Sequence, residues 1–471
     1  MKTAFLPMDI LILDREKDGI SNLDIFFFGM IIYDILIHNN KLILINVRAE
    51  EYQTQDDGEE VTDYDVFTDV AIYDLTTLTP NRFDFEPQRQ FTFQGAYRTA
   101  KIFNNKLYFV AHLIDWEATE IPYYIEDGQT YEMSDNTMLS PKGIAMFALI
   151  NLNEQEETKT MAVLGSIYEL CFFHDAIYPV FSSGSTSIIV KLDIDTLAYI
   201  GQISDVGYSL KNRYFVHDDG TYLFIATSHG QSGSKLSVYN RGNLQFIAAI
   251  KDIAPNEDLK SVRFAQDYCY LVTFLERDPV YKIDISDPEN PVIMDQLKID
   301  GYSSYLHMVE DNSIAIGIGY TDSWSLQQKI SLFDASGAAV REIKSIESYM
   351  MVYGHAPRDP RFVFIDRTRK LIVLTTVGLS YDDAKNYGEE RIAESDFYHN
   401  LIIFEYSQND LAIKKVISEK LNGRLFENVE TFESYISARI VAIGDYMYFA
   451  TNTKIVSYNL DSLKQVDELV L

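Results

Sequence analysis

The chain has 471 residues, 47% hydrophobic and 13% aromatic, and sets 40 Lys plus Arg against 70 Asp plus Glu for a formal charge of −30. So apolar a composition buries a core and excludes a disordered polymer, while the acidic excess repels phosphate backbones and excludes nucleic acid in favour of cations or a basic partner. The two cysteines, Cys171 and Cys269, lie in strand-like runs, which excludes a disulfide framework and reads as packed core thiols.

The opening "MKTAFLPMDILILD" pairs a Lys with an apolar run, but Pro7 and Asp9 interrupt it and no small-residue cleavage site follows, so it is not read as a signal peptide. In "LDREKDGISNLD" (13–24), Asp14, Glu16, Asp18, Gly19 and Asp24 approximate a calcium loop. Ca²⁺ takes six to eight oxygens, and a Gly at the sixth position permits the sharp turn. Ile25 stands where an EF-hand needs Glu, so the run looks more like the shorter acidic loops of thrombospondin-type repeats and bacterial surface proteins. Two readings stand: a Ca²⁺ site on Asp14, Glu16, Asp18 and Asp24, or a solvated acidic turn before the first strand. The apolar "IFFFGMIIYDILI" is too short for a bilayer span and contains Asp34, so no transmembrane helix is predicted.

A repeat then emerges in the turns. A short polar turn followed by a β-rich run occurs eight times: "HNNKLILINV" from His38, "FNNKLYFVAH" from Phe103, "HDAIYPVF" from His174, "HDDGTYLFIAT" from His217, "AQDYCYLVTF" from Ala265, "VEDNSIAIGIG" from Val309, "DRTRKLIVLTT" from Asp366 and "IGDYMYFATN" from Ile443. Asn, Asp or Gly at the turn makes each a hairpin signal. After most of them a further strand ends in a turn, most clearly in "VYKIDISDPENP", where two prolines and the Asp and Ser side chains stop the strand and fold the chain back. Short strands repeating every ~50–60 residues with almost no helical periodicity predict an all-β propeller of four-stranded antiparallel blades. Eight hairpins predict eight blades, with seven the alternative. The final "LKQVDELVL" is expected to complete the first blade and close the ring. No linker divides the chain, which reads as one domain over 1–471.

"SVRFAQDYCYLVTFLERDPVYKIDISDPENPVIMDQLKIDGYSSYLH" (261–307) resembles the signature of a prokaryotic family of secreted proteins with a C-terminal β-propeller domain. Weaker family-like segments extend outward, among them "DVAIYDL", "GAYRTAKIFNNKLYFV" and "SARIVAIGDYMYFATNTKIVSYNLDSL". The resemblance implies a propeller that is exported or attached to the cell surface, without established catalytic activity and with no catalytic residues to carry over. With no export signal in the opening run, a cytoplasmic site is the alternative.

Four insertions are candidates for function: 48–65, 115–142, 320–328 and 381–399. Each is read as following the third strand of a blade and preceding its fourth, a placement that projects all four from one acidic face. Both tryptophans, Trp116 and Trp324, lie in these loops with Tyr123, Tyr124 and Tyr131 nearby. Such side chains anchor protein partners or stack on sugars; otherwise they fold down onto the blades. Against the overall charge, Arg98, Arg213, Arg263, His307, His355 and Arg439 sit on or before the strand leading into each turn hairpin. If they reach the central channel they form a basic lining that could hold an anion; otherwise they satisfy exposed backbone carbonyls and blade aspartates at the ring's centre. No GxSxG elbow, HExxH or P-loop occurs, and "GIG" at 317–319 is too short for a dinucleotide fingerprint. The expected function is therefore non-enzymatic binding of a protein or glycan at the cell surface. The alternatives are a glycan hydrolase or lyase with a channel-mouth site, and an architectural module of a surface layer or filament.

Overall fold

The computed structural model describes residues 32–470 except 57–58, 75–85, 114–121, 134, 139–142, 153–156, 184–185, 205, 208–212, 275–277, 300, 322–326, 349–351, 355, 358–361, 381–397, 421–438 and 452–453. All eight predicted hairpins form, and each opens its own antiparallel sheet of four sequential strands. The first strands are Ile32–His38, Ala96–Phe103, Ser166–Phe173, Val216–Asp218, Asp258–Ala265, Tyr302–Val309, the split pair Val352–Gly354 and Val363–Asp366, and Arg439–Ile443. Eight sheets overturn the seven-blade alternative.

Turn chemistry sets the hairpins. Asn104 and Asn105 take φ of 48° and 59°, the left-handed pair of a type I′ turn, and Asn39 and Gly444 serve the same purpose at 52° and 59°. The "DISDPENP" segment turns as its composition demands: Asp284 Oδ1 accepts from the Ser286 amide and hydroxyl at 2.8 and 2.6 Å, and Asp287 Oδ1 accepts from the Glu289 amide. Asp193, Asp334 and Asn459 repeat the device at the matching position. In six sheets an amide near the end of the third strand also donates to a carbonyl of the hairpin turn, as Ile285 does to Asp267 at 2.8 Å.

Where they lie within the stacked sheets, the second strands are mainly apolar because both their faces are covered. In the first unit of the chain, which runs to Arg213 and includes Arg241–Leu244, Phe109 packs with Phe91 and Phe93 of the first sheet. Its neighbour Val110 packs with Ile177 and Phe181 of the third. The second unit holds Tyr214–Asn240 and Gln245–Leu471. There Ala315 joins Val272 and Val280 of the fifth sheet, while Ile316 joins Ile372 and Leu374 of the seventh. Each fully buried side chain of this size contributes about 1.5–3 kcal/mol, so stacking of sheet faces dominates the stability.

Cations tie one sheet to the turn of the next. Lys282 is buried and donates to the carbonyls of Ala335 and Gly337 at 2.9 and 2.6 Å. Lys191 donates to Arg241 O, Arg89 to Asn151 O and Lys415 to Leu463 O.

Two expectations are corrected. The C-terminal strand Gln465–Val470 pairs with Lys454–Asn459 as the fourth strand of the last sheet; it does not complete the first, whose four strands are Ile32–His38, Lys41–Asp56, Glu59–Asp74 and Arg89–Gln94. The four insertions follow the second strand of their sheets and precede the third, because the turn hairpin joins strands one and two. They still share one position in the repeat.

The "GIG" glycines serve packing. A Cβ on Gly319 would lie 1.6 Å from Tyr302 O, whereas one on Gly444 meets nothing within 4 Å. Gly319→Ala is expected to destabilise by about 3 kcal/mol or more through overpacking, and Gly444→Ala by about 1–2 kcal/mol through its left-handed backbone alone, as read from urea unfolding midpoints.

Candidate functional site

The first insertion is a strand extension. Lys41–Asp56 and Glu59–Asp74 pair continuously from Lys41↔Asp74 to Asp56↔Glu59, but Ile32–His38 joins them only to Asn46 and Arg89–Gln94 only from Phe67. Among the described residues, the stretch 47–66 therefore has no strand partner but itself and forms a two-stranded ribbon. It carries eight acidic residues and one basic residue, Arg48. Arg48 is spent at its base, bonded to Glu50 and to Asp69 and lying 4.8 Å from the Phe67 ring. Tyr52 and Tyr64 are 41% and 56% exposed. The register sets Glu50 directly opposite Asp65, a like-charge pair that Arg48 relieves by bonding to Glu50.

The second insertion folds down. Tyr123–Glu126 pairs with Arg89–Gln94 and Gln129–Glu132 pairs with Tyr123–Glu126, extending the first sheet to six strands and covering its edge. Asp135–Met138 runs parallel to Lys159–Leu164 at the edge of the second sheet. Tyr124, expected on the partner face, is instead core at 4% exposure, stacked on Phe93 at 5.5 Å. An inward-facing position at the end of a sheet made this aromatic a packing residue. Tyr131 stacks on it at 5.2 Å and stays 40% exposed, and Tyr123 is half-buried. Trp116, Trp324, His355 and the Asp14, Glu16, Asp18 and Asp24 loop lie outside the described residues.

The basic set divides. Arg98, on the first strand of the second sheet, donates to Ile167 O and Tyr168 O at 3.0 and 3.4 Å, the carbonyl-satisfying role. Arg213 opens the 3-10 turn before the fourth sheet, and Arg439 begins the first strand of the eighth. Arg263 and His307 come together on the first strands of the fifth and sixth sheets, which Ser261 Oγ links by a 2.8 Å bond to Ser303 O.

Around them stand residues that the sequence reading missed. The Arg263 guanidinium lies 5.6 Å from the Tyr214 ring, and Tyr214 is 5.8 Å from Tyr305. His307 Nδ1 meets Tyr305 Oη at 2.9 Å, and Arg367 Nη2 lies 3.3 Å from His307 Nε2 while donating to Met308 O at 3.0 Å. Arg367 cannot accept, so Nε2 is the acceptor and the imidazole is neutral, with Nδ1–H donating to tyrosine. Burial, then Arg263 and Arg367, hold its pKa down to about 4. Arg367 was legible only as an oddity, a basic "DRTRK" turn where the other hairpins carry Asn, Asp or Gly.

Elsewhere the titratable groups are structural. Burial raises the Cys269 thiol well above its usual range, and burial alone lowers His399 to about 4. Among the described residues no group of three or more His, Cys, Asp or Glu is placed to hold a metal, and no helix is long and apolar enough to cross a membrane.

Eight sequential antiparallel sheets, stacked within each unit through their second strands, define a β-propeller protein. The chain belongs to the beta propeller domain family, whose model matches residues 10–463. It is 27% identical over 260 residues to an uncharacterized protein of Methanocaldococcus jannaschii, covering 53% of this chain and 40% of that one. It is 36% identical over 127 residues to an uncharacterized protein of Archaeoglobus fulgidus, covering 27% and 20%. The matches thus span less than half the length of these relatives. Among solved structures, the chain is similar to dihydro-heme d1 dehydrogenase NirN, at TM-score 0.45 and 12% identity, covering 86% of this chain and 71% of that one. The Dos1 propeller gives 0.43 and 10%, covering 80% and 85%.

The buried imidazoles fix a pH dependence. The unfolded chain protonates His307 and His399 near pH 6.5, whereas the folded chain resists until about 4. Stability carried by these groups is therefore complete above pH 6.5 and is lost as pH falls toward 4. The urea midpoint is expected to drop between pH 7 and 4.5, and His399→Gln to reduce that drop.

Proposed function

We propose that this protein is a non-enzymatic binding module that works at or outside the cell surface and grips a basic protein surface through its acidic, aromatic ribbon. The observation that carries the reading is that, among the described residues, 47–66 pairs in strand register only with itself. A two-stranded ribbon is marginal by itself, and its excess of carboxylates weakens it further. A cationic partner offsets that repulsion, while Tyr52 and Tyr64 supply flat contact area at low entropic cost. Arg48, the ribbon's one basic residue, pairs with Glu50 and Asp69 at its base and leaves the other seven ribbon carboxylates without a basic residue in the ribbon. The placement outside the cell rests on the resemblance to secreted prokaryotic propellers, and whole-cell labelling with an impermeant amine reagent checks it. A glycan stacking on the tyrosines is an outcome of the same binding test.

The decisive variant replaces residues 51–64 by Asn-Gly, closing the hairpin on the Glu50↔Asp65 pair. It is expected to unfold at the same temperature as the parent but to bind a lysine-rich peptide about tenfold more weakly at low salt. A control that neutralises as many carboxylates in the third-to-fourth-strand turns is expected to keep the parent affinity. Equal loss in both variants would reduce the ribbon to one part of a diffuse acidic field and defeat the proposal.

A further inference from the structure

We propose that the second unit holds a small-oxyanion site in which Arg263 and Arg367 bind a phosphate-class anion beside His307, against the faces of Tyr214 and Tyr305. The site is composite, since four consecutive sheets contribute to it. Tyr214 precedes the first strand of the fourth, Arg263 lies on that of the fifth, Tyr305 and His307 on that of the sixth, and Arg367 in the hairpin turn of the seventh.

Its charge balance sets it apart. In a chain with 70 carboxylates and 40 Lys plus Arg, most described arginine side chains are neutralised: Arg89 by Glu126, Arg241 by Asp175, Arg341 by Asp334, and Arg369 by Asp366, Asp445 and Asp461. Arg98 spends its donors on carbonyls instead. Among the described residues Arg263 has no hydrogen bond or ion pair, its Nε being enclosed without a partner, and its guanidinium lies beside the Tyr214 ring. Arg367 is bonded to a carbonyl and to an imidazole, neither of them anionic. The charges acting on His307 are these two guanidiniums and no carboxylate. Two guanidiniums with no carboxylate bonded to them among the described residues, inside so acidic a protein, make a place where the field favours an anion.

The donor geometry selects the class. Guanidinium forks match the oxygens of phosphate and related oxyanions in bidentate fashion. A neutral imidazole whose two nitrogens are already engaged contributes orientation to Arg367. Aromatic walls exclude water on one side and suit a planar or sugar-bearing substituent on the anion. The shared chemistry is a phosphoryl oxyanion, and its source is either the free ion or a sugar phosphate.

The test is calorimetric titration of the full chain with inorganic phosphate and with a hexose 6-phosphate, against sodium chloride at matched ionic strength. Saturable binding of either phosphate is expected, with His307 imidazole resonances moving in proportion to saturation. R263Q and R367Q are each expected to weaken binding about tenfold, the loss of one charge-assisted bond. Arg367 sits in an exposed turn, so R367Q keeps the test open should R263Q fold poorly. Tighter binding of the hexose phosphate assigns a sugar-phosphate ligand, and equal affinities assign the free ion. Absence of saturable binding, or undiminished affinity in R367Q, would overturn the site. The ribbon-deleted variant is expected to bind phosphate normally, so failure of one proposal leaves the other standing.

Discussion

The structure depends on burial of both faces of the second strand in each sheet. Successive residues point to opposite sides of a strand, so Phe109 and Val110, or Ala315 and Ile316, enter different cores. No single sheet could bury both of its faces alone, and a stack of sheets is the way to cover them. Runs such as "KLYFVAHL" and "LIVLTTVG" are continuous for this reason, and the fourth strands, with a covered face on one side only, admit charge.

Charge is sorted on the same frame. Buried Lys282 and Lys191 are spent on turn carbonyls, at Ala335 and Gly337 and at Arg241, while buried Lys329 pairs with Glu342. The Lys282 ammonium is tolerated because it gains two carbonyls at hydrogen-bonding distance and lies 4.0 Å from the Tyr268 ring. With cations so committed, the unpaired excess of carboxylate is left for the loops and for the ribbon at 47–66. The guanidiniums of Arg263 and Arg367 are the counter-case, positive and without a carboxylate partner.

The fold was legible because its punctuation is local. Turn residues with left-handed backbones, such as Asn104 and Asn105, and Asx turns, such as Asp284 with Ser286, act within a few residues of themselves. Eight hairpins therefore gave eight sheets. Strand numbering within a sheet was not legible, since a hairpin signal does not say whether it joins strands one and two or two and three; the insertions were accordingly placed one strand late. Pairing of the last strand was missed for a related reason: closure onto the first sheet and completion of the last present the same alternating pattern. In the site, Arg263 and His307 were found by their shared place in the repeat. Arg367 and Tyr214 were not, because they enter from neighbouring sheets at unrelated sequence positions. Tyr124 looked like an anchor until pairing of 123–126 with 89–94 turned it inward.

A stacked body with a charged ribbon divides labour between stability and recognition. The body is held by apolar contacts that salt and pH above 6.5 leave untouched, while the ribbon is governed by charge that a partner can neutralise. Hydrogen–deuterium exchange tests this division directly, in the free protein and with a lysine-rich peptide bound. Amides of 48–66 are expected to exchange far faster than those of Leu42–Ile45 in the free protein and to gain protection on peptide binding. Equal protection of both segments in the free protein, or protection gained elsewhere while 48–66 stays unchanged, would contradict the account.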